Sequence, residues 1–129
     1  MQLLLIEDDD DLRGEIREYL VRRRHGVTAL GSAAEARRVL DPMLAAGEPF
    51  DAIVCDMNLT DGNGIDLYVE FGSQLPARRW VLMSGAPDSQ RLADERRKHP
   101  ALSPCIVVEK PVSLRRLAEL LSGDGALLN

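Results

Sequence analysis

Short aliphatic runs alternate along the chain with segments in which apolar residues recur at helical spacing. Each run is too short for a helix and has the length of a buried strand. A strand that is apolar throughout must be covered on both faces, as in a parallel sheet between two layers of helices. The five predicted strands contain Leu3–Ile6, Val27–Leu30, Ala52–Cys55, Trp80–Met83 and Cys105–Val108.

An amphipathic segment follows each run, and the pattern predicts helices over residues 9–24, 33–40, 65–71, 88–98 and 114–121. Ser32 and Glu35 form a capping box at the start of the second helix. Because proline ends or kinks a helix, we expect Pro42–Pro49 to be a helix end and a loop. The fourth helix is nearly all polar, with Leu92 and Ala93 as its main apolar anchors, so we expect it to be loosely held.

Length and composition predict one soluble α/β domain of 129 residues with 45% hydrophobic residues. We assign residues 1–122 to the domain and 123–129 to a tail or the start of a linker. The net charge of -5 disfavours direct binding of nucleic acid. No run is long enough to cross a membrane, and no signal peptide is visible. Cys55 and Cys105 lie in apolar runs, which indicates reduced core residues of a cytoplasmic protein.

Polar residues follow the predicted strands at the edge where an open parallel sheet binds its ligands. Acids occupy Glu7–Asp11, Asp56 and Asn58 follow the third run, Ser84 follows the fourth, and Lys110 follows the fifth. Clustered carboxylates repel, and a divalent cation such as Mg²⁺ relieves that repulsion with oxygen ligands. Metal, ammonium and hydroxyl together can bind a phosphoryl group, and an aspartate among them can be its nucleophile.

Five motifs in this order resemble the receiver domain of two-component response regulators, over the whole chain. They are Glu7-Asp8, Asp56, Gly64 eight residues later, Ser84 and Lys110-Pro111. The resemblance implies a flavodoxin-like, doubly wound, five-stranded parallel sheet of order 2-1-3-4-5 with five helices. It also implies a cis bond between Lys110 and Pro111.

The same resemblance implies the role of each site residue. Asp56 corresponds to the phosphoacceptor, Ser84 to the hydroxyl that moves to the phosphoryl group, and Lys110 to the lysine that pairs with its oxygens. The implied Mg²⁺ ligands are Glu7, Asp8, Asp56 and the backbone carbonyl of Asn58. The implied partner is a sensor histidine kinase or a phosphotransfer protein, and the domain would catalyse only its own phosphoryl transfer and dephosphorylation.

Three positions depart from the family pattern, and one of them is Glu109, which directly precedes Lys110 and would point outward on the output face. Thr60 stands where a proline is frequent, and we expect it to change loop stiffness rather than chemistry. Val107 stands where many receivers carry a switching aromatic residue. Valine has no ring to bury and only one stiff rotatable bond, so it cannot signal phosphorylation in that way. We therefore expect movement of the helix at 88–98 to alter the 88–121 face, which would bind a partner or a second copy in a homodimer.

Three other functions share part of this pattern of residues. The Asp56-x-Asn58-x-Thr60 pattern is similar to the opening of haloacid-dehalogenase-like phosphatases, but Asn58 cannot act as their general acid. A Ca²⁺ loop would need glycine and an acid where Asp61 and Leu67 stand, so it is dropped. A pseudo-receiver that is never phosphorylated remains an alternative, although the complete set of acids, hydroxyl and lysine disfavours it.

Overall fold

The computed structural model of the chain describes residues 1–46, 50–74, 77, 79–85 and 89–122. Its helices are α1 (Asp10–Arg22), α2 (Ala33–Ala46), α3 (Gly64–Phe71), α4 (Ser89–Lys98) and α5 (Leu114–Leu121). Its strands are β1 (Gln2–Ile6), β2 (Gly26–Leu30), β3 (Ala52–Asp56), β4 (Asn58–Leu59), β5 (Gly62–Asn63), β6 (Arg79–Ser84) and β7 (Cys105–Glu109). The predicted tail at 123–129 lies outside the described residues.

The main sheet has five parallel strands in the order β2-β1-β3-β6-β7. This confirms the expected order 2-1-3-4-5, because β4 and β5 form a separate two-residue antiparallel ribbon. The chain passes from β1 to β2 on one side and returns with β3 on the other side of β1. The order of strands therefore reverses between β1 and β3, and ligands bind beyond the carboxyl ends of strands at such a point.

Both faces of the sheet are covered, which explains why the central strands are apolar throughout. On one face Leu4, Ile53 and Leu82 belong to a buried cluster that includes residues of α2, α3 and α4, among them Leu40 and Leu92. The opposite face forms a second cluster with residues of α1 and α5; its members include Leu3, Leu5, Val54, Val81, Ile16 and Leu117. The edge strands β2 and β7 are mostly half-buried because each has a neighbour on one side only.

The predicted end of α2 near Leu40 is wrong, because the helix continues through Pro42 to Ala46. An internal proline loses one helical hydrogen bond and costs about 3 kcal/mol. The apolar positions nevertheless continue across it, and Val39 and Met43 pack against the same core as Leu40. Packing on both sides of the proline therefore outweighs the local preference to stop. Of the loop predicted to Pro49, residues 47–49 lie outside the described residues.

Several helix ends follow the sequence signals. Asp9 caps α1 by accepting hydrogen bonds from the backbone N–H groups of Asp11 and Leu12. Ser113 caps α5 in the same way. In α4, Leu92 is buried as predicted, but Ala93 is exposed, so this helix has one fewer anchor than expected. No helix among the described residues combines the length and apolar character needed to span a membrane.

Candidate functional site

The candidate site lies at the edge of the sheet where the neighbouring strands β1, β3, β6 and β7 end. Asp56 is the last residue of β3 and is only 3% exposed, while Glu7 follows β1 and Lys110 follows β7. The Lys110 ammonium lies 3.0 Å from Oδ2 of Asp56 and 3.0 Å from Oε1 of Glu7. Burial opposes the charge of Lys110, but these two carboxylates hold its pKa above the ordinary value. One cation is thus shared by two buried acids.

Glu7 is the most deeply placed acid of the site. Its side chain is fully buried, and burial is the main reason that its pKa rises from 4.5 to about 7. The N–H of Asp9 donates to Oε2 at 3.1 Å. The other oxygen, Oε1, forms an ion pair with the Lys110 ammonium at 3.0 Å. Glu7 thus adds buried negative charge beside Asp56, and a divalent cation would offset the repulsion between the two acids.

Asp8 completes a group of three acids. One carboxylate oxygen from each of Glu7, Asp8 and Asp56 lies within 4.8 Å of the others. Oδ2 of Asp8 accepts two hydrogen bonds from Thr60, and the hydroxyl of Thr60 is the main reason that the pKa of Asp8 is lowered. An ionised carboxylate beside two others offers the hard oxygen ligands that Mg²⁺ prefers. The residues present therefore fit the expected cation.

The loop after β3 is shaped around Asp56. The backbone N–H of Asn58 donates to Oδ1 of Asp56 at 3.0 Å, which fixes the carboxylate from the side opposite Lys110. The loop returns so closely that a Cβ atom on Gly64 would lie 2.5 Å from the carbonyl oxygen of Asp56. The glycine eight residues after the acid is therefore required by space.

Ser84 joins Lys110 to β6, the strand beside β7. It is the last residue of β6, is fully buried, and pairs in register with Glu109 of β7. Its carbonyl accepts the backbone N–H of Lys110 at 2.8 Å. The bond between Lys110 and Pro111 is cis, as the resemblance implied. The structure thus gathers every predicted site residue at one edge of the sheet, while the role of each residue stays a prediction.

Sequence reasoning missed the contacts of two loop residues. Thr60 was expected to affect loop stiffness alone, yet it holds Asp8. Asp61 accepts the backbone N–H groups of Ala33 and Ala34 at the start of α2. The sequence did show that position 60 can donate hydrogen bonds, since threonine offers two donors where proline offers none.

Residues 3–122 match the response regulator receiver domain family. The chain belongs to this family. The match covers every strand of the main sheet except Gln2, the first residue of β1, and all of the site residues. It confirms the resemblance that was drawn from the motifs at the strand ends.

Two curated relatives resemble this receiver domain over part of their length. Response regulator protein PilR from Pseudomonas aeruginosa is 34% identical over 119 residues, which cover 92% of this chain and 25% of that protein. Protein PetR from Rhodobacter capsulatus is 29% identical over 90 residues, covering 70% of this chain and 36% of that protein. The chain therefore spans about a quarter to a third of the length of these relatives.

Solved structures share the fold. A two-component response regulator from Clostridium difficile has a TM-score of 0.74 at 17% identity, with 95% of each chain covered. The non-phosphorylated HemR receiver domain from Leptospira biflexa has a TM-score of 0.72 at 26% identity, covering 94% of this chain and 90% of that one. At 17% identity the first comparison supports the fold alone.

Proposed function

We propose that this receiver domain is a phosphoryl-accepting switch in which Asp56 takes a phosphoryl group from a phosphohistidine of a sensor histidine kinase or phosphotransfer protein. The observation that carries the proposal is the shared contact of Lys110, whose ammonium lies 3.0 Å from both Asp56 and Glu7. Phosphoryl transfer needs positioning and charge stabilisation more than covalent help. The contacts that hold Asp56 would provide the positioning. Lys110, together with a cation bound by the three carboxylates, would provide the charge stabilisation.

The residues divide the chemistry between them. A bond forms between a carboxylate oxygen of Asp56 and phosphorus, the bond from phosphorus to the donor histidine breaks, and the imidazole leaves with the bonding electrons and takes up a proton. Asn58 and Lys110 hold the two oxygens of Asp56 in one orientation. Lys110 then pairs with the phosphoryl oxygens, and Ser84 provides a hydroxyl to them. Mg²⁺ bound by Glu7, Asp8, Asp56 and the Asn58 carbonyl would neutralise charge at this site.

A groove beside Lys110 supports docking of the phosphoryl donor. It has a volume of about 320 Å³ and lies between the start of α1 and the segment after β7. Leu12 and Val112 give it apolar surface, while Glu15 and Lys110 give it charge. A partner seated there would bring its histidine next to the ammonium that holds Asp56.

The output is proposed to leave through the 88–121 face, either to a partner or to a second copy of the domain. Among the side chains of α4 that the structure describes, Leu92 is the one in the buried core, and the half-buried Val107 has little volume to move. Displacement of α4 therefore costs less than repacking of β7. Hydrogen exchange with and without beryllofluoride tests this route, and identical exchange of residues 89–98 in both states would contradict it.

Phosphorylation of Asp56 separates the switch from its alternatives. Incubation with a small-molecule phosphodonor and Mg²⁺ should add about 80 Da, the mass of one phosphoryl group, and the modified peptide should contain Asp56. Asp56→Asn should abolish the addition, while Asp41→Asn, a matched change at an exposed aspartate of α2, should leave it intact. A protein that never takes up the group would favour the pseudo-receiver. Continuous turnover of external phosphate esters would favour the haloacid-dehalogenase-like phosphatase.

A further inference from the structure

Thr60 directs both of its hydrogen-bond donors to one oxygen of Asp8. Its backbone N–H lies 2.8 Å from Oδ2 and its hydroxyl lies 2.6 Å from the same atom. The other oxygen of Asp8, Oδ1, stays outside this pair. The two residues are 52 positions apart in the chain and belong to the loops after β1 and β3. These bonds therefore join the two loops that meet at the switch point of the sheet.

The turn that contains Thr60 is itself held in place. Thr60 and Asp61 connect β4 to β5, whose strands pair through Asn58 with Asn63 and Leu59 with Gly62. The carboxylate of Asp61 accepts the N–H groups of Ala33 and Ala34 at 2.8 and 3.0 Å, which anchors the turn to α2. A donor on an anchored turn imposes its direction on Asp8, because the turn cannot follow the carboxylate.

We propose that Thr60 is a positioning residue that orients Asp8 for Mg²⁺, an inference that rests on the proposed function of the site. Hydrogen bonds to a metal-binding carboxylate fix its orientation, and their loss costs about 10- to 100-fold in metal affinity. Oδ2 accepts both hydrogen bonds from Thr60, so Oδ1 would be the oxygen that Asp8 offers to the cation. Asp8 is half-buried, and without Thr60 its side chain would sample other rotamers in water.

The alternative is that Thr60 competes with the cation for Asp8. In that case, removing the hydroxyl would tighten binding of Mg²⁺. The two effects therefore predict opposite changes in the dissociation constant of the metal, and one substitution separates them.

The test compares Mg²⁺ affinity, measured by isothermal titration calorimetry, in three variants of the whole chain. Thr60→Val removes the hydroxyl and keeps the backbone N–H, whereas Thr60→Ser keeps both donors. Thr28→Val makes the same chemical change at an exposed threonine of β2 and is the matched control. We expect Thr60→Val to raise the dissociation constant about tenfold, as for loss of a hydrogen bond to a ligand. Thr60→Ser and Thr28→Val should match the wild type.

A second readout separates positioning from a general structural role. At saturating Mg²⁺, the rate of phosphorylation of Thr60→Val should return to the wild-type value, while half-maximal rate should need more metal. Urea unfolding in EDTA confirms that the variant is folded, and Thr60→Ala replaces it if it is not. Unchanged or tighter Mg²⁺ binding by the folded variant would overturn this proposal alone. A wild-type protein that binds no Mg²⁺ would overturn the metal site as well.

Discussion

Glu7→Gln is expected to stabilise the metal-free protein at alkaline pH. Glu7 is fully buried beside Asp56, and burial raises its pKa from 4.5 to about 7. Glutamine has the shape of the protonated glutamic acid and carries no charge. With its amide oxygen in the place of Oε1, glutamine keeps an acceptor beside the Lys110 ammonium, which lies 3.0 Å from that atom of Glu7, and gives up the hydrogen bond from the N–H of Asp9. The variant therefore removes the cost of ionising this buried group.

The size of the expected stabilisation follows from the pKa shift of Glu7. A raised pKa in the folded state means that the contribution of Glu7 to stability is complete below pH 4.5 and is lost as pH rises through about 7. Each pKa unit corresponds to about 1.4 kcal/mol, so a shift of this size gives at most about 3 kcal/mol. We expect the stability of the variant relative to wild type to increase by about 1 to 3 kcal/mol between pH 5 and pH 8.

Urea unfolding in EDTA measures this difference, with the fluorescence of the buried Trp80, the single tryptophan, as the signal. Burial lowers the pKa of His25 below its usual 6.5, so His25 contributes a stability that is lost as pH falls, a slope opposite to that of Glu7, but both proteins contain His25 and the difference cancels it. Glu15→Gln, the same substitution at an exposed glutamate of α1, is the matched control for the loss of one carboxylate. A constant difference between Glu7→Gln and wild type from pH 5 to pH 8 would refute the reasoning.

Two further predictions concern space and charge at the site. Gly64→Ala should lower the free energy of unfolding by about 2 kcal/mol, because its Cβ would lie 2.5 Å from the Asp56 carbonyl oxygen. The control is Gly14→Ala in α1, where the added Cβ would meet no described atom within 4 Å outside its own stretch of helix. It should raise the free energy of unfolding by about 0.5 to 1 kcal/mol in the same urea assay. Lys110→Arg should not keep the switch working, because a planar guanidinium cannot occupy the position of a compact ammonium. Normal beryllofluoride-dependent hydrogen exchange of α4 in Lys110→Arg would contradict this.

The strands could be predicted because the central ones are buried on both faces. Their whole length must then be apolar, and the polar residue that ends each run marks the edge of the sheet. Asp56, Ser84 and Lys110 were found in this way, since the carboxyl ends of parallel strands share one edge. Which strand ends lie next to each other follows from the order of the strands in the sheet, and the family resemblance supplied that order.

The errors have a different origin. The end of α2 was placed near Leu40 because proline breaks helices, but Met43 packs beyond Pro42 and extends the helix. The contact between Thr60 and Asp8 joins two loops, and no periodic pattern encodes how two loops approach each other. Such contacts depend on tertiary geometry, so the sequence can offer a donor and an acceptor without showing that they meet.

The arrangement of charge at the site offers a route by which the proposed phosphorylation of Asp56 would affect α4. In the unmodified protein, the ammonium of Lys110 is divided between Asp56 and Glu7. In the proposed switch, phosphorylation would turn the carboxylate of Asp56 into an acyl phosphate, a mixed anhydride, and place a charge of about -1.5 to -2 further out, so the ammonium would follow it. The backbone N–H of Lys110 is bonded to the carbonyl of Ser84 at the end of β6. Since α4 is the next helix after Ser84, the hydrogen bond that joins two strand ends links the position of the lysine to the least anchored helix.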